Sequence, residues 1–293
     1  MNRNPLAVLA AITGGLVIGT SVGTSVFPGS PPAAGMTLVE GAPTTPACAR
    51  DRVEVIGHRG TGPGTRTLFG AARSEDTIGA FTAAMRAGAD GFETDFWPTA
   101  DDQVVSHHDA TLTRMTDGTG AISSWTAADV ERLRNQSRAG VPTFPEILSS
   151  MVPSHPDVRL QQEFKDGRQF SDELLLELAR LDRELVADVE AQVLVTASQL
   201  GTLERFHRMA PDLPLGLIER SSGRPPLPTV PAWVDVILIE LGAADPTYIR
   251  QAAARGHEVS LRKVDSVAQL HEAVRMGAAR IVTDRPEVVG ESC

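Results

Sequence analysis

Acidic side chains occur at spacings that would let them share one metal ion. Glu93 and Asp95 lie two residues apart in the segment Gly91–Trp97. Glu163 stands two residues before Lys165. Residues two apart on a β-strand point to the same face, so each pair would project together. Three carboxylates in one buried space are costly without a cation. They would form a hard oxygen site of the kind that Mg²⁺ or Ca²⁺ prefers.

Histidines directly follow two of the predicted strands. His58-Arg59-Gly60 comes after Val53–Gly57, and His107-His108-Asp109 comes after Gln103–Ser106. Imidazole titrates near neutral pH, so two such rings could exchange protons with a substrate. A single histidine, or a single E-x-D pair, is more often structural or solvated. The joint placement of all these groups at strand ends favours a functional site.

The elements that position these residues alternate between strands and helices. Nine segments are β-rich, and a polar, charged or turn-forming residue follows each of them: Val53–Gly57, Gly91–Trp97, Gln103–Ser106, Arg159–Phe164, Val193–Ala197, Leu215–Ile218, Val234–Ile239, Val259–Leu261 and Arg280–Thr283. Helical patterns separate most of them, as in Thr77–Gly88 and Asp172–Asp188. Such alternation predicts parallel strands with right-handed crossovers.

Eight parallel strands remain if Gly91–Trp97 and Gln103–Ser106 form one antiparallel extension. Eight strands favour an α/β fold that is a (β/α)8 barrel of the TIM type, with the active site at the carboxyl ends of its strands. The alternative is an open doubly wound sheet, but no glycine-rich phosphate loop supports it. One catalytic domain, residues 50–293, is the simpler interpretation.

The N-terminal region differs from the rest in composition. Residues 6–27 carry no charge, which predicts that residues 1–27 are a secretory signal peptide. An uncleaved membrane anchor is the alternative, because a span needs about 20 residues. Residues 28–49, rich in Pro, Gly, Ala and Thr, predict a flexible linker. We therefore expect a secreted or cell-surface protein.

The two cysteines, Cys48 and Cys293, bracket the predicted domain. In an oxidising compartment they could form a disulfide that joins its ends, or remain two free thiols. The formal net charge of −10 argues against a nucleic-acid partner, because such a partner requires a basic surface.

The chain resembles the glycerophosphodiester phosphodiesterase family over roughly residues 53–288. The resemblance rests on a series of ordered motifs: His58-Arg59-Gly60, Glu75-Asp76-Thr77, Gly88 to Gly91 before Glu93-Thr94-Asp95, Val104 to Asp109, Leu112-Thr113-Arg114, Thr116, Gly118-Thr119-Gly120, Pro142-Thr143, Glu146-Ile147-Leu148, Glu163-x-Lys165, and Gly277 to Pro286. No single motif is specific, but their order is.

The resemblance implies a role for each matching residue. It makes His58 and His108 the acid/base pair, with His108 chosen over His107 because Asp109 follows it. It makes Glu93, Asp95 and Glu163 the ligands of one divalent cation, Mg²⁺ or Ca²⁺. Arg59 and Lys165 would bind the phosphate, with Glu75 at the edge of the site. The implied reaction is metal-dependent hydrolysis of small-molecule glycerophosphodiesters to an alcohol and glycerol 3-phosphate. Peripheral contact with a membrane is compatible with this reaction.

The sequence departs from the family pattern at three places. Asp76 stands where asparagine is usual. Residues 61–74 are longer than usual, which predicts a loop over the mouth of the barrel. The late strand reads Val259-Ser260-Leu261-Arg262-Lys263-Val264 where a Trp-Thr-Val step is usual. The missing Trp leaves the packing on the glycerol side of the substrate in doubt.

Two other functions compete with this interpretation. A related phospholipase D type shares the histidines and the acidic ligands, but it acts on intact or lyso-phospholipids and can release cyclic phosphates. A non-catalytic barrel would be expected to lose at least one of these groups, and none is lost here.

Overall fold

Eight parallel strands close into a barrel. The computed structural model describes residue 49 and residues 53–188, 192–220 and 223–290. Its strands are β1 (Glu54–Gly57), β2 (Thr65–Leu68), β3 (Ala71–Ser74), β4 (Gly91–Pro98), β5 (Val104–Ser106), β6 (Arg159–Phe164), β7 (Gln192–Ala197), β8 (Leu215–Ile218), β9 (Val236–Glu240), β10 (Glu258–Arg262) and β11 (Arg280–Thr283). The barrel order is β1-β4-β6-β7-β8-β9-β10-β11, and β11 pairs with β1 to close it. The predicted fold is confirmed.

Helices follow most of the barrel strands and cover the outside. They are α1 (Ile78–Arg86), α2 (Ala127–Val130), α3 (Phe144–Met151), α4 (Asp172–Asp188), α5 (Leu200–Met209), α6 (Pro246–Ala253), α7 (Val267–Met276) and α8 (Pro286–Gly290). Three of them begin at threonine caps, including α1 and α3. Thr77 accepts a hydrogen bond from the Ala80 amide at 3.1 Å, and Thr143 forms a capping box with Glu146.

The predicted antiparallel extension is present. β5 runs back along the end of β4, with Phe96 opposite Ser106 and Pro98 opposite Val104. It therefore lies outside the parallel series, which leaves eight barrel strands. This extension brings the segment after β5 to the same end of the barrel as the carboxyl end of β4.

The segment 61–74 is a hairpin, where the sequence predicted a loop. β2 and β3 pair antiparallel around a two-residue turn at Phe69 and Gly70, whose φ angles are 51° and 79°. Positive φ at both positions is typical of tight hairpin turns, but a phenylalanine is an unusual first residue for one. The phenylalanine explains why no turn could be predicted at this position from the sequence. Phe69 is exposed at the tip.

The alternation predicted for β4 places the acids and the aromatic residues on opposite faces. Phe92 stacks on Phe81 of α1 with the ring centroids 4.2 Å apart, and Phe96 packs on Phe144 of α3 at 5.2 Å. Both contacts lie in the layer between barrel and helices. Glu93 and Asp95 therefore point into the barrel.

Two parts of the predicted domain organisation lie outside the described residues. These are the N-terminal signal or anchor with nearly all of the linker, and both cysteines, so export and the Cys48–Cys293 disulfide stay predictions. Within the described part of the chain, no helix is long and apolar enough to cross a membrane.

A buried carboxyl group on α4 predicts a pH-dependent stability. Asp182 is fully buried and accepts a hydrogen bond from Gln162 Nε2 at 2.7 Å, and burial raises its pKa to about 7. Because the folded pKa lies above the unfolded one, stability is fully present below pH ~4 and is lost as the pH rises to about 7, by roughly a few kcal/mol.

Asp182→Asn keeps the acceptor for Gln162 and remains neutral at every pH. We expect the variant to melt several degrees above the natural protein at pH 8 and within about a degree of it at pH 4. Thermal unfolding at the two pH values measures this. An equal difference at both pH values would refute the prediction.

Candidate active site

Three buried carboxylates converge inside the carboxyl end of the barrel. Glu93 and Asp95 come from β4 and Glu163 from the neighbouring β6, where Asp95 and Glu163 are register partners. One carboxylate oxygen from each residue lies within 4.8 Å of the others. The set contains only hard oxygen donors, which fits a cation such as Mg²⁺ or Ca²⁺.

Cationic side chains contact these acids directly. Lys165 Nζ lies 2.6 Å from Asp95 Oδ1 and 2.9 Å from Glu163 Oε2. Arg59 approaches Asp95 with Nε at 3.2 Å, and its backbone N–H donates to Glu93 at 2.9 Å. Arg220, from the loop after β8, pairs with Glu163 Oε1, the oxygen that Lys165 does not contact. Both predicted phosphate-binding residues therefore lie at the acidic cluster.

The pKa values of the acids show how crowded the negative charge is. Burial and the neighbouring Asp95 carboxylate raise the pKa of Glu93 well above its ordinary value. Burial acts in the same direction on Asp95, but Lys165 and Arg59 outweigh it and lower the pKa of Asp95. Lys165 and Arg59 do not supply enough positive charge to keep Glu93 ionised beside Asp95. Ionisation of all three acids therefore requires additional positive charge.

His58 forms a largely buried pair with Asp284. The ring follows β1 directly, and its Nδ1 lies 2.5 Å from Asp284 Oδ1, one residue beyond β11. Gly60 makes this turn feasible, because it adopts φ +83° and a Cβ there would lie 2.6 Å from the backbone of Ala80. The loop therefore packs directly on the start of α1.

His108 also pairs with a carboxylate. Its Nδ1 lies 2.7 Å from Asp109 Oδ1, and Arg114 Nε holds Asp109 Oδ2 at 2.5 Å. Burial lowers the pKa of His108. The Asp95 carboxylate raises it, but the positive charges of Lys165 and Arg59 lower it further, and the net shift is downward. Burial opposes the ionisation of Asp109, but the hydrogen bonds from Arg114 and His108 lower its pKa to about 2. Near neutral pH, a neutral His108 ring thus faces an ionised Asp109.

His107 is buried beside this pair, and its Nδ1 lies 3.1 Å from the Asp109 amide nitrogen. Burial lowers its pKa. These contacts serve the local turn. The choice of His108 over His107 as the acid/base residue stays a prediction.

Glu75 lies at the edge of the cluster. Its Oε1 accepts from Arg59 Nη1 at 3.0 Å and from Arg114 Nη2 at 2.6 Å, and Oε2 contacts the Gly64 amide. Burial disfavours its charged form, but these donors lower its pKa overall. Glu75 therefore orients Arg59 and links it to the His108 side of the site.

Asp76, where the family resemblance leads us to expect asparagine, is in contact with the Asp95 backbone. Its Oδ1 accepts from the Asp95 amide at 3.2 Å and from Ser106 Oγ at 3.4 Å. Burial and the Asp95 charge raise its pKa well above the ordinary value. A protonated Asp76 carboxyl would present the same acceptor as the amide of asparagine.

Sequence reasoning assigned no role to Asp284, Lys263 or Arg220. Asp284 was within a recognised motif, and its position directly after the last strand was the available signal. Lys263 Nζ lies 3.0 Å from Asp284 Oδ2. Arg220 gave no signal, because only the barrel brings its loop to Glu163.

Comparison with known proteins places the chain in a family. The model for the glycerophosphoryl diester phosphodiesterase family matches residues 58–288. A glycerophosphodiester phosphodiesterase of Caldanaerobacter subterraneus subsp. tengcongensis is 25% identical over 249 residues, which cover 80% of this chain and 95% of the relative.

Solved structures show the same fold. A phosphodiesterase of Oleispira antarctica, in complex with the product sn-glycerol-3-phosphate, superposes with a TM-score of 0.64 at 18% identity, over 83% of this chain and 98% of that one. A glycerophosphodiester phosphodiesterase of Parabacteroides distasonis superposes with a TM-score of 0.63 at 21% identity, over 81% and 95%.

The barrel and the family match together define a phosphoric diester hydrolase. The chain belongs to the glycerophosphoryl diester phosphodiesterase family.

Proposed function

We propose that this enzyme hydrolyses glycerophosphodiesters to an alcohol and glycerol 3-phosphate, using one divalent cation and the acid/base pair His58 and His108. The observation that carries the proposal is the convergence of Glu93, Asp95 and Glu163, with Arg59 and Lys165 in contact with them. The family match supports the substrate class. The same match does not favour the phospholipase D alternative.

The acidic triad would hold the cation. Its three oxygens fit Mg²⁺ or Ca²⁺, and the raised pKa of Glu93 is what a site built for additional positive charge would show. A cation bound there would supply positive charge to the oxygens of a phosphodiester, which is anionic and resists attack.

The remaining residues bind the phosphate and move protons. Arg59 and Lys165 are held in place by carboxylates and would offer donors to the phosphate oxygens. One imidazole would take a proton from the nucleophile, and the other would give a proton to the leaving alkoxide. In sum, hydrolysis breaks one P–O bond and adds a water: the hydroxyl goes to phosphorus and the proton to the alcohol. The nucleophile is water, or the neighbouring glycerol hydroxyl through a cyclic intermediate.

The test is product analysis on a panel of substrates. Glycerophosphocholine, glycerophosphoethanolamine, lysophosphatidylcholine and sphingomyelin are incubated with enzyme, and the products are followed by phosphorus NMR and by a glycerol 3-phosphate assay. We expect glycerol 3-phosphate from the first two substrates only. Turnover confined to the two lipids would overturn the proposal.

Arg220 supplies a prediction about the cation. Its ion pair with Glu163 Oε1 would compete with a metal ion for that oxygen. Because the Arg220 side chain is half exposed, solvent screens the ion pair and the competition should be modest. Arg220→Gln is therefore expected to bind Mg²⁺ or Ca²⁺ more tightly, on the order of a few-fold by calorimetry.

Arg224 is the matched control for Arg220. It lies in the same loop and pairs with Asp245, away from the triad. Arg224→Gln removes the same charge and should leave the affinity within about twofold. Equal gains in the two variants, or weaker binding by Arg220→Gln, would contradict a direct competition.

A further inference from the structure

Asp284 is held in place from every side. Its amide N–H donates to Asp265 Oδ1 at 2.7 Å, and its carbonyl accepts from Arg66 of the hairpin. Lys263 Nζ lies 3.0 Å from Oδ2. Gly62 packs so closely that a Cβ there would lie 2.7 Å from the Asp284 carbonyl oxygen. With both backbone groups and one carboxylate oxygen fixed, the other oxygen has a defined position.

That second oxygen meets His58. Asp284 Oδ1 lies 2.5 Å from Nδ1 of the ring, and both side chains are largely buried. Burial opposes the ionisation of Asp284, but the hydrogen bonds from His58 and Lys263 outweigh it and lower its pKa. An ionised carboxylate can only accept hydrogen bonds, so Nδ1 must carry the hydrogen. The catalytic proton is then exchanged at Nε2.

We infer that Asp284 is a positioning residue, which fixes the tautomer and the direction of the His58 ring so that Nε2 faces the reacting phosphodiester. The inference rests on the proposed acid/base role of His58. Hydrogen-bonded carboxylates commonly fix imidazole orientation in this way.

Lys263 also stabilises the ionised form of Asp284. Its ammonium group adds to the effect of His58 in lowering the pKa of Asp284. Its side chain is 38% exposed, so solvent screens the pair and its effect should be smaller than that of Asp284. We therefore expect substitution of Lys263 to lower kcat less than substitution of Asp284 does.

The first experiment compares kcat, KM and metal affinity of Asp284→Asn, Asp284→Ala and Lys263→Met. We expect kcat to fall by about a hundredfold in both Asp284 variants and by a few-fold in Lys263→Met, with KM and metal affinity within about threefold. Glu287→Gln is the control, because Glu287 pairs with Arg66 at 2.8 Å and does not touch His58 in the structure. Its kcat should stay within about twofold.

The second experiment observes the ring directly. Nitrogen-15 NMR of the histidines should show the Nδ1-protonated form of His58 in the natural protein, and the loss of that preference in Asp284→Ala. A purely structural role would lower the amount of folded protein without changing the tautomer.

The outcomes separate this inference from the proposed function. If His58→Ala is inactive while Asp284→Ala keeps normal kcat and the same tautomer, the positioning role is wrong and the proposed function stands. If His58→Ala itself retains full turnover, the acid/base assignment is wrong, and the positioning role falls with it.

Discussion

Replacing either His58 or His108 by alanine is expected to lower kcat by about a thousandfold. Each ring is paired through Nδ1 with its own carboxylate, Asp284 or Asp109, which leaves the other nitrogen to exchange a proton. General acid or base catalysis typically contributes 10²–10⁴-fold, and each variant loses one partner of the pair. Steady-state kinetics on glycerophosphocholine measures the loss.

His107→Ala is the control for this pair. It removes a neighbouring imidazole whose contacts in the structure serve the local turn. Corrected for the folded fraction by circular dichroism, its kcat should stay within about fivefold of the natural enzyme. The assignment would be wrong if His107→Ala lost the activity and His108→Ala kept it. All three variants should bind the divalent cation with nearly unchanged affinity, since none removes a carboxylate of the triad.

Asp95→Asn is expected to abolish divalent binding and turnover together. Asp95 is fully buried and contacts both Lys165 and Arg59. The amide removes one negative charge from the triad and leaves the two cations less compensated. Both effects disfavour the binding of a divalent cation nearby. We expect metal affinity to fall by at least a hundredfold in calorimetry, with activity below detection at millimolar metal.

Asp76→Asn is the matched isosteric control. Asp76 touches the Asp95 amide through Oδ1, and asparagine keeps an acceptor there. Because burial and the Asp95 charge raise the pKa of Asp76, the substitution replaces a carboxyl that tends to be neutral. Activity and metal affinity should be retained or slightly higher. Equal losses in the two variants would mean that the pocket tolerates no change of this kind, and the argument from the triad would fail.

The sequence predicted most of what depends on local pattern. The alternation in Gly91–Trp97 placed Glu93 and Asp95 on the interior face, because strand periodicity is a property of the backbone. The eight-strand count followed once Gln103–Ser106 was treated as an antiparallel extension of that strand, and the structure confirms it. The acids could be grouped because their strands β4 and β6 are neighbours in the barrel.

The interactions that were missed join distant parts of the chain. His58 and Asp284 are 226 positions apart, and closure of the barrel between β1 and β11 brings them together. Neither residue carries a local signal for the other. The hairpin β2–β3 was missed for a different reason, because its turn is made by Phe69 and Gly70 rather than by residues that usually form such turns.

We propose that hydrolysis requires one divalent cation, held by Glu93, Asp95 and Glu163. The most direct measurement removes metal with a chelator, confirms its absence by elemental analysis, and titrates Mg²⁺ or Ca²⁺ back while following glycerol 3-phosphate release from glycerophosphocholine. We expect activity to disappear on chelation and to return with one equivalent of bound cation per chain. Full activity in protein shown to be free of divalent metal would contradict it.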